Sequence, residues 1–162
     1  MSLFEHMRED ESTVQVHRLD PEDPLGCSKE RPFELDGERW LTAEHYYQAM
    51  KYPGRPRFEE ILNAPDAQTA RKIGRGWLKR PRSDWKTVRP VIMTRALYTQ
   101  CRTYDDFAEA LLDTDDNDIQ ELSLYDYYWG RGRDQRGLNQ YGKVLMDVRS
   151  QLRRERQSQD SD

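Results

Sequence analysis

Four polar side chains on one stretch, Thr42-Ala-Glu-His-Tyr-Tyr-Gln-Ala-Met-Lys51, could carry chemistry. At about 100° per residue, Glu44, Gln48 and Lys51 fall in one narrow stripe of a helix. A carboxylate, an amide and an ammonium aligned in this way could hold a water and a sugar. The same stripe also suits a solvated helix face with a Glu/Lys pair. Ala43, Tyr46 and Met50 fall on the opposite side and are expected to face the core. His45, at the edge of the stripe, reads as a packing or hydrogen-bonding histidine.

A second group is Tyr125-Asp-Tyr-Tyr-Trp-Gly-Arg-Gly-Arg-Asp-Gln-Arg-Gly-Leu-Asn139. Gly130, Gly132 and Gly137 let the backbone come close to a ligand and turn its N–H groups toward phosphate oxygens. Arg131, Arg133 and Arg136 add charge, a helix beginning near Asn139 offers an anion-friendly N-terminus, and Trp129 could stack on a heterocycle. The segment fits neither the P-loop nor the dinucleotide fingerprint, and a loop gripping RNA is an equal reading of the residues alone. Trp85 and Arg89, four residues apart on one helix face, suit stacking beside a phosphate contact, although Trp85 by itself reads as core.

Other constellations fail. Asp113, Asp115 and Asn117 mimic the start of a calcium loop, but Asp118 stands where glycine is needed and Leu124 where a bidentate glutamate belongs. Cys27 and Cys101 lack zinc-spaced partners, and no Ser or Cys lies in a nucleophile motif. No metal or redox cofactor is expected.

These groups must be positioned by a chain of 162 residues with 35% hydrophobic and 35% charged residues, which fits one small, heavily solvated domain. Between Arg71 and Arg95 lie nine basic residues opposed only by Asp84, and between Tyr104 and Glu121 eight acidic residues with no base. Such blocks point to a charged ligand or to two faces that pair with each other. The first dozen residues resemble no signal peptide, and no apolar run reaches the roughly 20 residues of a membrane span, so a cytoplasmic setting is expected.

Alternation of Val14 and Val16 predicts a strand over 13–17. Phe33 to Leu35 and Glu38 to Trp40 around Asp36-Gly37 predict a β-hairpin with a type I′ turn. Thr42 caps a helix to about Tyr52, Pro56 opens one to Asn63, and Pro65 another ending near Gly74 and Gly76. Ser83 caps the next, which Pro90 should kink or divide before Val91 to Cys101. Thr103 and Asp106 resemble a capping box for 104–112, and 119–124 could form a strand. Leu138, Tyr141, Leu145, Val148 and Leu152 form an apolar stripe on a closing helix. The expected fold is α+β, one compact domain over 13–152 with helices around a small sheet, a flexible 1–12 and a disordered tail at 153–162.

In order, these segments resemble the YbiA-like, or NADAR, family. The carrying residues are Pro32-Phe33-x-x-Asp36-Gly37-x-x-Trp40, Glu44-His45-Tyr46-x-Gln48-Ala49-x-Lys51 and Ala70-Arg71-x-x-Gly74-Arg75. They continue through Asp84-Trp85, Arg89, Met93, Ala96-Leu97, Asp126, Trp129-Gly130-x-Gly132, Gly137-x-Asn139-x-x-Gly142 and Leu145-Met146. The resemblance spans about Gly26 to Leu152. It implies an N-glycosidase cutting a ribose C1–N bond, either in phosphoribosyl-amino-pyrimidine intermediates of riboflavin biosynthesis or in ADP-ribosyl-guanine. It also implies catalysis by Glu44, with Asp126 as a second carboxylate, and substrate contacts from Gln48, Lys51, Trp85, Arg89, Trp129, Gly130, Arg131, Gly132 and Asn139. The expected partner is thus a small phosphoribosyl or ADP-ribosyl compound, with nucleic acid only as a modified substrate and no membrane. A non-catalytic ADP-ribose or nucleotide reader, or an RNA-binding module, are the competing readings. One departure stands out: Gly26-Cys27-Ser28-Lys29-Glu30-Arg31-Pro32 replaces a segment where the family usually carries Ser-Asn-Phe.

Overall fold

The computed structural model describes residues 12–76 and 80–162. Ten elements follow in the order β1 (Thr13–Val16), β2 (Phe33–Leu35), β3 (Glu38–Trp40), α1 (Ala43–Ala49), α2 (Pro56–Leu62), α3 (Ala67–Gly74), α4 (Trp85–Thr103), α5 (Asp105–Leu112), β4 (Asp118–Glu121) and α6 (Gln140–Asp160). The fold is α+β. In place of one small sheet there are two pairs: β2 and β3 form the antiparallel hairpin, while β1 pairs in parallel with β4, Val14 opposite Ile119.

Local signals explain the front half. Asp36 and Gly37 take φ of 53° and 81°, as the tight turn requires. Tyr46 Oη then donates to Asp36 Oδ2 at 2.7 Å, and Arg95 pairs with Asp36 Oδ1 at 2.7 Å, fixing the turn to α1 and α4. Thr42 caps α1, accepting from the His45 N–H at 3.2 Å. Every residue of α1 is buried, so the helix is central and has no solvated face.

Several local expectations are corrected. α4 runs unbroken through Pro90, because Trp85 before it and Ile92, Met93, Ala96 and Leu97 after it are buried on one body that outweighs the lost hydrogen bond. Ser83 does not cap it; Asp84 precedes the helix and spends its carboxylate on Arg82. Thr103 ends α4, and Tyr104 leads into α5 with no side-chain cap. α3 opens at Ala67 instead of Pro65, with Asp66 capping it through the Thr69 N–H. Leu138 precedes α6 and is exposed, outside the apolar stripe that Tyr141, Leu145, Val148 and Leu152 do form. Residues 153–160 are helical, continuing α6 where a disordered tail was expected; residues 1–11 lie outside the described residues.

The two charge blocks do not pair with each other in the ion pairs of the described residues. The acidic block meets α6 instead: Asp116 binds Arg153 at 2.8 Å, and Glu109 binds Arg156. No helix among the described residues is long and apolar enough to cross a membrane.

Candidate active site

α1 brings Glu44 and Gln48 into the interior, at 0% and 2% exposure. Gln48 Nε2 donates to Glu44 Oε1 at 2.7 Å, and Cys27 Sγ lies 3.3 Å from Oε2. The Glu44 N–H also donates to the Cys27 carbonyl at 3.0 Å, so the carboxylate is tied to the 17–28 loop by backbone and side chain together. His45 is structural, as its position suggested. Nε2 lies 3.0 Å from the Ala64 carbonyl and Nδ1 2.7 Å from the Thr42 hydroxyl, which fits a neutral ring donating from Nε2; burial pulls its pKa down.

Lys51, one turn beyond Gln48, is half-buried, with Nζ 5.6 Å and 5.8 Å from the ring centres of Tyr47 and Trp85. Burial brings its pKa down to about 8, helped by the positive charges of Arg75 and Arg89 and opposed by Glu44. Lys51 therefore feels the positive charges of Arg75 and Arg89 on one side and the negative charge of Glu44 on the other. The Arg89 guanidinium lies 3.2 Å from the Tyr128 ring centre, and its buried Nε has no hydrogen-bond partner among the described residues.

Tyr47 lies between the two tryptophans. Its ring centre is 5.0 Å from that of Trp85 and 5.4 Å from that of Trp129, whose indole N–H donates to Tyr47 Oη at 3.2 Å. Trp85 and Trp129 are 7% and 4% exposed, so each is both core and wall of the site.

Asp126 sits at the head of the glycine loop. Its Oδ1 accepts from the N–H groups of Tyr128 at 3.0 Å and Trp129 at 2.8 Å, and its Oδ2 binds Arg18 at 2.6 Å. Donors therefore occupy both oxygens, and the carboxylate ties Arg18 to the start of the glycine loop. Arg18 is 4% exposed. Burial works to lower its pKa, but the carboxylates of Glu44, Asp126 and Glu121 act against burial and hold it above the usual arginine range.

The glycine loop differs from its sequence reading. The Arg131 N–H donates to the Glu121 carbonyl at 2.9 Å and the Gly132 N–H to that of Ser123 at 3.2 Å, so these groups are engaged within the protein instead of facing a phosphate. Gly130 is required by close approach: a Cβ there would overlap Glu121, whose carboxylate is held by Ser123 Oγ at 2.8 Å and the Ser123 N–H at 3.0 Å. Asn139 is likewise structural. Its Oδ1 accepts from the Glu121 N–H at 2.9 Å and its Nδ2 donates to the Ile119 carbonyl at 2.8 Å, stitching β4 to the start of α6. Arg131 remains half-buried with its Nε unpartnered.

The structure thus gathers Glu44, Gln48, Lys51, Trp85, Arg89, Trp129 and, through Arg18, Asp126. Sequence reasoning missed Arg18, Tyr47 and Glu121, and singled out Cys27 only as part of the departing segment at 26–32. Tyr47 alone had a local signal, lying three residues from Glu44 on the same helix. Among the described residues no group of three His, Cys, Asp or Glu side chains is arranged to hold a metal ion. A separate cleft of about 380 Å³ between α4 and α6, lined by Thr94, Tyr98, Asp147 and Gln151 among others, has no buried polar side chain.

Comparison with known proteins identifies the family and the fold. Residues 6–153 match the NADAR domain. The chain is 34% identical to N-glycosidase YbiA of Escherichia coli (strain K12) over 75% of its own length and 76% of that protein. It is 37% identical to N-glycosidase Npun_R5314 of Nostoc punctiforme, covering 80% of this chain and 87% of the relative. It is also 37% identical to the chloroplastic riboflavin biosynthesis protein PYRR of Zea mays over 70% of this chain, which spans only 20% of that longer protein. The NMR structure of E. coli YbiA superposes with a TM-score of 0.80 at 29% identity, covering 89% of this chain and 86% of that one.

Proposed function

The chain belongs to the NADAR family and hydrolyses N-glycosyl bonds, and from that premise we propose that its substrate is a phosphoribosyl-amino-pyrimidine intermediate of riboflavin biosynthesis. The observation that carries this reading is one buried carboxylate, Glu44, that acts on Lys51 together with the positive charges of Arg75 and Arg89. Cleavage of a ribose C1–N bond builds positive charge on the sugar, which a nearby carboxylate stabilises, while a terminal phosphate calls for fixed cations. The protein offers both charges within one site. Relatives bearing riboflavin biosynthesis names favour this substrate class.

In this mechanism Glu44 stabilises the oxocarbenium-like ribose and takes a proton from the attacking water. The water oxygen bonds to C1 as the C1–N bond breaks, and the proton passes to the departing nitrogen. Gln48 holds the carboxylate, Lys51 and Arg89 bind phosphate, and Trp85 and Trp129 wall the heterocycle. Asp126 anchors Arg18 and the loop, leaving Glu44 as the acting carboxylate. Because Glu44 has no solvent exposure, substrate entry requires side chains around it to move, and Lys51, Arg89 and Tyr128 are only half-buried.

A second reading, removal of ADP-ribose from guanine in a nucleic acid, is favoured by one observation. Tyr125 and Tyr127, 83% and 45% exposed, share the loop with exposed Arg133 and Arg136, which suits base stacking beside a phosphate backbone.

Purified protein offered both substrate classes side by side, with products identified by mass, decides between them. Release of ribose phosphate from the amino-pyrimidine is expected. Glu44→Gln should bind this substrate without turning it over. Turnover of ADP-ribosyl-guanine alone would overturn the substrate assignment, and wild-type turnover by Glu44→Gln would overturn the mechanism.

A further inference from the structure

Cys27 has no solvent exposure, and its Sγ lies between two acceptors, Glu44 Oε2 and the Arg18 carbonyl oxygen, each at 3.3 Å. The loop that carries it is packed tightly on itself. A Cβ at the preceding Gly26 would lie 3.1 to 3.2 Å from the carbonyl oxygens of Asp20, Arg18 and His17. The Ser28 N–H also donates to the Arg18 carbonyl at 3.2 Å, and Cys27 O accepts from the Glu44 N–H at 3.0 Å. The thiol is therefore held against the carboxylate by backbone on both sides.

Burial first, and the negative charge of Glu44 second, push the Cys27 thiol well above its ordinary pKa. Sulfur thus stays as S–H, a donor instead of a nucleophile. One proton serves one acceptor at a time, and a carboxylate oxygen attracts it more strongly than a neutral carbonyl already holding the Ser28 N–H. Each oxygen of Glu44 then has one fixed donor, Gln48 on Oε1 and Cys27 on Oε2.

We infer that Cys27 is a positioning residue for the hydrolysis, clamping the Glu44 carboxylate plane and setting how readily it accepts a proton. This inference rests on Glu44 being the acting carboxylate. A thiol is a weak donor, so it orients the carboxylate while leaving it more basic than a hydroxyl would. An apolar side chain there would leave Oε2 with one donor fewer and the plane free to turn.

The test compares Cys27→Ser and Cys27→Ala with the wild type in kcat, KM and the pH profile of kcat, which reports groups in the bound complex. Cys27→Ala is expected to lower kcat about tenfold with KM within about twofold, and to move the acidic limb to higher pH. Cys27→Ser is expected to keep kcat within about threefold and to move the limb to lower pH, giving the order Ser, Cys, Ala. An acidic limb at one position in all three proteins, or an equal loss of kcat in both variants, would overturn the role. If Cys27→Ala fails to fold, the direction of the limb in Cys27→Ser still decides. Glu44→Gln is run in the same assay. Its retained turnover would sink the proposed mechanism itself, whereas an inactive Glu44→Gln with an unmoved cysteine series removes only the role of Cys27.

Discussion

Gln48 Nε2 donates to Glu44 Oε1 across 2.7 Å, one helical turn away on α1, with neither side chain more than 2% exposed. On an exposed helix this pair would contribute a few tenths of a kcal/mol. Buried, the amide is a substantial part of what holds a carboxylate in a place where charge is costly.

Gly74 tests that pairing from a distance. A Cβ at this position would lie 2.9 Å from Gln48 Cβ and overlap its Oε1. Gln48 cannot swing away without releasing Glu44, so Gly74→Ala should lower kcat by about 10- to 100-fold. Overpacking should cost about 1 to 3 kcal/mol of stability. Steady-state kinetics and thermal unfolding measure both, and an unchanged kcat would contradict the coupling.

Lys51 gives a pH signature. With its pKa brought down to about 8 by burial, the amine is charged at pH 7 and largely neutral at pH 9. Affinity for ribose 5-phosphate should therefore fall as pH rises through about 8, and Lys51→Met should bind weakly with no such step. Stability moves the opposite way. The folded pKa is depressed, so the cost of burying the charged amine is fully present below about 8 and is relieved as pH rises toward the ordinary lysine range. Calorimetric titration at pH 7 and pH 9 checks the binding half of the prediction.

Asp126→Asn distinguishes an anchor from a proton donor. The variant keeps an oxygen for the Tyr128 and Trp129 N–H groups but leaves Arg18, whose side chain is 5% exposed, without its ionic partner. Breaking a buried pair costs about 3 to 5 kcal/mol. The Asp126 side chain is 27% exposed, and solvent screening reduces the expected loss to about 2 kcal/mol. Denaturant unfolding should show it. A variant with wild-type stability and no turnover would instead mark Asp126 as a participant in the chemistry.

Gly37 isolates the backbone contribution of the hairpin. Its φ is 81° and a Cβ would meet nothing within 4 Å, so Gly37→Ala strains the turn without a clash. About 1 kcal/mol of destabilisation is expected in chemical unfolding, with kcat unchanged.

The parts of this molecule that were legible in sequence are those set by neighbours a few residues away. Asp36-Gly37 specified its turn, Thr42 its cap, and the spacing of Glu44, Gln48 and Lys51 their common stripe. What sequence could not show is set by distant packing. On pattern alone the stripe read more readily as a solvated surface, because burial of α1 depends on every element around it. Arg18 reaches Asp126 only through the fold, with no local pattern to mark it, and the departing segment around Cys27 did not show that the thiol meets Glu44. The glycines after Trp129 signalled close approach correctly, but the partner turned out to be the protein's own Glu121 and Tyr127 side chains. Pro90 did not divide its helix, because a rule about single residues met a core that overrode it.

The parallel pairing of β1 with β4 also fixes when activity can begin. Val16 stands opposite Glu121, with α1 to α5 lying between them along the chain. During synthesis the first strand has no partner until the ribosome has passed residue 121 and the second strand has cleared the exit tunnel. Arg18 follows β1 directly, and its partner Asp126 is made later still. A chain that stops short of β4 and Asp126 therefore lacks the partners that hold β1 and Arg18 in place, and with them the support behind Glu44.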